Sequence, residues 1–153
     1  MNVAIINDSS IRVNVRLMKK LTELFLCKAS KQAKCYWGDI SLVLLDDNGI
    51  QAMNRSFLKH DHPTDVISFS YDPVPGESVA VSGEILVNVE MALRLGRRFN
   101  GSKRELALYI AHGCDHLTGA DDASETDRRR MRSRELRWIR IADKEDLISG
   151  LLP

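Results

Sequence analysis

The chain has 153 residues, 44% of them hydrophobic, which is enough to bury one core without disulfides or a structural metal. Its formal net charge of +1 calls for neither a nucleic acid nor an anionic membrane as partner, so any charged surface must be local. Three cysteines, Cys27, Cys35 and Cys114, without a CxxC pair, argue against a disulfide framework and fit a reducing compartment such as the cytosol.

The opening stretch, MNVAIINDSSIRVNVRLMKK, has no basic region ahead of an apolar core and no small-residue cleavage pattern. No apolar run approaches the roughly 20 residues that span a bilayer, so neither export nor membrane insertion is expected. Val3 to Ile6 reads as a strand closed by the capping cluster Asn7, Asp8, Ser9 and Ser10. Leu17, Leu21, Leu24 and Phe25 then recur at helical spacing, with Lys19, Lys20 and Glu23 off that face. Ile40 to Leu45 is a second strand, Asp46 to Gly49 a turn, and Ile50 to Phe57 a helix. Thr64 to Phe69 and Glu84 to Val89 read as adjacent strands on either side of a loop containing proline and glycine.

From Glu90 onward the pattern is helical: Met91 to Phe99, a break near Asn100 and Gly101, Ser102 to Leu117, and Ser124 to about Ile148. Ser124 followed by Asp127 resembles a capping box and marks the start of the last helix. Strands first and helices afterwards predict an α+β fold, a small mixed β-sheet covered by helices, in a single domain over residues 1–153.

His112 and His116 are four apart within a predicted helix, so their imidazoles project from one face and can share a metal ion, with a spacing that suits zinc. Such pairs also arise by chance. Gly119 can end the helix in a left-handed turn, and Asp121 and Asp122 follow to return a carboxylate, completing HxxxHxxGxxD. Asp122 is otherwise a cap or a solvated residue of the DDASE segment. Three protein ligands with a fourth position for water would make a catalytic rather than a structural site.

The register equals that of the zinc-protease motif HExxHxxGxxH, but Gly113 stands where the general base would be, which weighs against a metallopeptidase. Cys114 reads as a small packed residue, and Asp115 as supporting or exposed.

HGCDHLTGADD resembles the YbeY family signature HGxLHLxGYDH, and the likeness extends through DISLVLLDDNGIQAMN, HPTDVISF and GEILVNVE in the family's order. The resemblance implies a cytoplasmic endoribonuclease for ribosomal RNA maturation and small-subunit quality control, with one divalent ion, zinc by preference. Its implied partners are ribosomal RNA, the small ribosomal subunit and a ribosome-assembly GTPase, and no membrane.

Carried onto this chain, the metal positions are His112, His116 and Asp122, the last being histidine in most members. The family's arginine ahead of its PTDV segment aligns with Leu58, leaving Arg55 and Lys59 as candidate phosphate contacts. His60 and His62 read as exposed residues of a polar loop. Asp115 is the carboxylate expected to handle protons beside the catalytic pair His112 and His116.

Arg128, Arg129, Arg130, Arg132, Arg134, Arg137 and Arg140, with Arg97, Arg98, Lys103 and Arg104, offer an RNA-facing surface. The alternative is a solvated helix whose arginines pair with Glu125, Asp127 and Glu135 while Met131, Trp138 and Ala142 are buried. A ribosome-assembly factor that binds RNA or protein with weakened catalysis is the second functional reading, and a metallopeptidase the third.

Overall fold

The computed structural model describes residues 1–71, 76, 79–98 and 101–153. The described elements run β1 (Asn2–Asn7), α1 (Val15–Ala33), β2 (Trp37–Leu45), α2 (Asp47–Leu58), β3 (Val66–Tyr71), β4 (Val81–Asn88), α3 (Val89–Gly96), α4 (Ser102–Leu117) and α5 (Glu125–Lys144). The expected α+β class is the observed one. The sheet has the order β1-β2-β4-β3, with β1, β2 and β4 parallel and the edge strand β3 antiparallel to β4.

Alternation along the strands divides the protein into layers. Ile40, Leu42 and Leu44 of β2 and Ile85 and Val87 of β4 face a large core with α1, α4 and α5. Leu86, Ile67 and Phe69 point the other way and pack with Ile50 and Met53 of α2. The helix α2 therefore covers the second face of the sheet.

Local chemistry moves several boundaries. The cap of α1 is Asn14, whose side chain accepts from Leu17 N–H at 3.0 Å, whereas Asn7 and Ser9 of the expected capping cluster close a turn of their own. Asp46 to Gly49 is not a turn but the start of α2, with Asp46 in extended conformation ahead of it. Polar residues favour turns and first helical turns alike, so composition does not separate the two.

Val89 opens α3 rather than ending β4, because Asn88 Oδ1 caps Met91 N–H at 3.0 Å. The expected end of that helix at Phe99 and the break at Asn100 lie outside the described residues. Helix α5 stops at Lys144, and Asp146 at φ 54° turns the chain so that Ile148, Leu151 and Leu152 fold back into the core.

The fully buried Asn88 also ties the layers together. Its Nδ2 donates to Asp47 Oδ1 at 2.7 Å and to the Thr64 carbonyl at 3.1 Å, while its N–H donates to the Asp65 carbonyl at 2.8 Å. Asp47 in turn accepts from Arg94 at 2.7 Å. The Arg94 hydrogen bond holds the Asp47 carboxyl down at about 2, below its ordinary 3.8.

A depressed carboxylate stabilises the fold above its ordinary value and loses that contribution as pH falls through the depressed one. Asp47→Asn should lower the urea midpoint near neutral pH, with the gap to the parent closing between about pH 4 and pH 2. A gap that stayed constant over that range would remove the carboxylate's charge from the account.

Helix α4 lies directly on the sheet at Gly113. A Cβ there would stand 2.5 Å from Ile85 Cγ2 and 3.0 Å from Val66 Cγ2, and Ser68 Oγ donates to the Gly113 carbonyl at 2.9 Å. Gly113→Ala should cost about 1–3 kcal/mol by overpacking, read as a lower chemical-denaturation midpoint. An unchanged midpoint would mean that helix and sheet separate easily.

Candidate metal centre

His112 and His116 occupy the last turns of α4, one turn apart. The helix ends at Thr118, and Gly119 follows at φ 89°, a conformation that glycine adopts without strain. That turn brings the next residues back across the helix end. Asp121 Oδ1 is used locally, accepting from Ala123 N–H at 2.9 Å, so Asp122 supplies the carboxylate that reaches the histidines.

Asp122 Oδ2 lies 3.5 Å from His112 Nε2 and 3.4 Å from His116 Nε2, and the two Nε2 atoms are 2.9 Å apart. Ligand atoms at about 2.0–2.2 Å from one zinc ion stand roughly 3.3 Å apart in a tetrahedron, so the three donors have nearly the spacing of a shared ion.

Proton bookkeeping favours a cation among them. His116 Nδ1 lies 3.0 Å from the Ala120 carbonyl, which can only accept, so Nδ1 carries the hydrogen. His112 Nδ1 lies 2.9 Å from Glu135 Oε2 and donates in the same way. In the neutral rings both Nε2 atoms then present lone pairs to each other and to a carboxylate, a set of donors suited to a divalent ion.

Glu135, 1% exposed, is the supporting group that the sequence reading paired with arginines instead. Burial disfavours the charged form of His112, but the hydrogen bond and charge of Glu135 outweigh it, and the imidazole is raised above its ordinary 6.5. Carboxylate–histidine–metal triads of this kind fix the tautomer and strengthen the ligand.

Asp115 is not brought to the metal cleft. It is 1% exposed and accepts four contacts of 2.8–3.2 Å from Arg134 Nε and Nη2, so its oxygens are committed to a buried ion pair between α4 and α5. Burial pushes its carboxyl up while Arg134 pulls it down. Asp115 is therefore not among the three donors and faces them only through its neighbour Glu135, which holds His112 Nδ1.

Arg134 and Glu135 were discoverable from the residue pattern. With Met131, Trp138, Ile139 and Ala142 they fall at three- and four-residue spacing on the buried stripe of α5. Of the other expected pairings, Arg129 with Glu125 forms at 2.7 Å on an exposed surface.

Two clefts flank the donors. One, of about 310 Å³, is lined by Asp65, Glu105, Tyr109, His112, Asp122, Arg128 and Arg132 among others, so arginines of α5 stand beside the site. The other, of about 480 Å³, opens on the His116 side between the end of α2 and β3. Arg55 and Lys59 do not line it. Arg55 pairs with Asp61 at 3.3 Å, and Lys59 sits at the left-handed end of α2 with Nζ 3.5 Å from the Ser56 carbonyl. Leu58, His60 and His62 line it instead, although all three are exposed.

A helix-borne histidine pair and a returning carboxylate on an α+β scaffold, with room left at the donors, are an arrangement that could hold a metal ion, as hydrolases of this kind do. The family described as Endoribonuclease YbeY matches residues 4–141. An Endoribonuclease YbeY from Chlorobium luteolum is 34% identical over 130 residues, 82% of this chain and 92% of that protein. Another from Rhodopirellula baltica is 36% identical over 110 residues, 70% of this chain but only 55% of that longer protein.

The solution structure of TM1509 from Thermotoga maritima shares the fold, with a TM-score of 0.63, 22% identity, and coverage of 97% of this chain and 94% of that one. The chain belongs to the YbeY family. Among the described residues no helix is long and apolar enough to cross a membrane.

Removing the Glu135 carboxylate should weaken metal binding about 10- to 100-fold, measured as Glu135→Gln against the parent by competition with a chromophoric chelator. Equal affinities would reduce Glu135 to a packing residue.

Proposed function

We propose that this protein is a metal-dependent endoribonuclease that cuts single-stranded RNA during ribosomal RNA maturation and small-subunit quality control in the cytoplasm, with zinc as its ion. The observation that carries the reading is the convergence of His112, His116 and Asp122 beside a cleft lined by Arg128 and Arg132, in a member of a family named for endoribonuclease activity. Residues 1–153 would act as one catalytic unit.

A divalent ion held by the three donors would supply Lewis acidity toward a phosphate oxygen and an acidified water. The chain's own residues do the rest. Arg128 and Arg132 attract and orient the phosphodiester, and their charge favours the extra negative charge of the transition state. Arg128 Nη1 also donates to the Asp122 and Ala123 carbonyls at 3.2 Å, holding the returning loop. Asp65 lines the same cleft as His112 and is the carboxylate that we place in the proton-transfer role in place of Asp115. Asp115 acts at a distance, by fixing Arg134 and with it the position of α5.

The peptidase reading loses support from Gly113, since the contact with Ile85 leaves no room there for a glutamate without moving the helix. The assembly-factor reading draws support from one observation: among the described residues no guanidinium lines the cleft on the His116 side, where Leu58 stands. That protein would bind small-subunit particles with a salt dependence set by its arginines, whether or not it cleaves.

Elemental mass spectrometry on untagged protein tests the centre. About one divalent ion per chain in the parent, lost in Asp122→Ala and His116→Ala, is the expected result, and cleavage of single-stranded RNA should disappear in the same two variants. A parent that binds none of several divalent ions would leave the assembly-factor reading in place of the enzyme.

A further inference from the structure

The two clefts beside the metal donors differ in chemistry. The α5 side is charged, with Arg128, Arg132, Asp65 and Glu105 among its lining residues. Among the described residues, none that line the side between α2 and β3 carries a permanent charge. Leu58, Val66 and Phe69 provide apolar surface, and the rings of His60, His62 and His116 border it. Its volume of about 480 Å³ lies within the range of small-ligand clefts.

Of the aromatic rings nearby, Phe69, His60 and His62 line the cleft, and Phe57 packs on Phe69 outside it. The ring of Phe57, 60% exposed, meets Phe69 edge-on at 5.4 Å, and the rings of His60 and His62 lie 5.7 Å apart at 38°. His62 Nδ1 is engaged with the Pro63 carbonyl at 3.1 Å, which leaves Nε2 as its outward polar atom. The cleft is anchored as well, since Asn54 Nδ2 donates to the His62 carbonyl at 2.9 Å.

We propose that this cleft seats one unpaired nucleobase of the RNA, adjacent to the phosphate held at the metal centre, stacking it against the imidazoles of His60 and His62 over the Leu58 and Phe69 surface. The proposal rests on the endoribonuclease reading and extends it by dividing the work: the α5 side grips backbone, and the α2–β3 side takes a base. An uncharged, aromatic-lined cleft suits a neutral planar ring and not a phosphate, and single-stranded RNA is commonly recognised by stacking splayed bases on Phe, Tyr, Trp or His.

His116 belongs both to the metal donors and to the cleft wall, so a base seated there is within one nucleotide of the ion position. The same feature explains why an enzyme of this build would need single strands, since a paired base cannot enter.

The test uses the full-length, zinc-loaded protein and short single-stranded RNAs carrying 2-aminopurine at successive positions, followed by stopped-flow fluorescence before cleavage proceeds. Stacking should quench the probe at one position next to the cleaved bond. The double substitution His60→Ala with His62→Ala lies on exposed residues. It should abolish that quench and weaken binding about five- to a hundredfold without changing the salt slope. Leu58→Glu, also on the surface, should lose the quench in the same way if the double variant proves unstable.

By contrast, Arg128→Ala with Arg132→Ala should weaken binding with a shallower salt slope and keep the quench at saturating protein. Cleavage with equal quenching in parent and His60/His62 variant, or with no position-specific quench, overturns the base seat and leaves the endoribonuclease reading intact. Position-specific quenching without cleavage supports the base seat in an RNA-binding protein and removes the endoribonuclease reading. RNA that neither binds nor is cut overturns both.

Discussion

Helix α4 is clamped on two sides, and the candidate metal centre depends on that clamp. Toward the sheet, Gly113 brings the backbone against Ile85 and Val66. Toward α5, Asp115 and Arg134 form an ion pair with side chains 2% and 10% exposed. Such a pair is expensive to desolvate, and apolar residues of similar volume often stabilise a fold as well or better. What it gives here is position. Arg134 and Glu135 are neighbours on α5, while Asp115 and His112 are three apart on α4, so the contact that seats Arg134 also delivers Glu135 to His112 Nδ1. One helix crossing thereby sets the hydrogen bond that orients His112 as a candidate ligand.

Element type was legible because burial follows period. Ile40, Leu42 and Leu44 alternate along a strand, and Leu17, Leu21 and Phe25 recur along a helix, so the expected strands and helices lie where the structure has them. Element ends were less legible, because they are decided by single hydrogen bonds such as those of Asn14 and Asn88 and not by a repeating pattern. Nothing local distinguishes an asparagine that caps a helix from one that closes a turn.

At the site, the three candidate donors could be read from spacing because all three are close in sequence and at one helix end. Asp122 was separable from Asp121 only by the turn at Gly119, which sends one carboxylate to the histidines and the other to its own backbone. Glu135 and Arg134 lie on another helix, and charged residues are usually assigned to solvent. Their position on the stripe of Met131 and Trp138 was the contrary signal, and it outweighed residue type. His60 and His62 are a different case: they are exposed, as expected, and still border a cleft, because exposure does not exclude a place in a concave surface.

At the candidate centre the third donor is a carboxylate, which would alter the balance of charge around a bound ion. With two neutral imidazoles and Asp122, a divalent ion keeps one net positive charge, and Glu135 and Asp65 nearby reduce the attraction for a phosphodiester further. In a partly buried site such interactions are weakly screened, so the deficit matters for substrate binding. Arg128 and Arg132 stand on the same cleft and restore positive potential where the phosphate would lie. On the opposite flank no cation among the described residues lines the cleft where Leu58 stands. In the proposed base seat, affinity on that side would come from apolar and stacking contact.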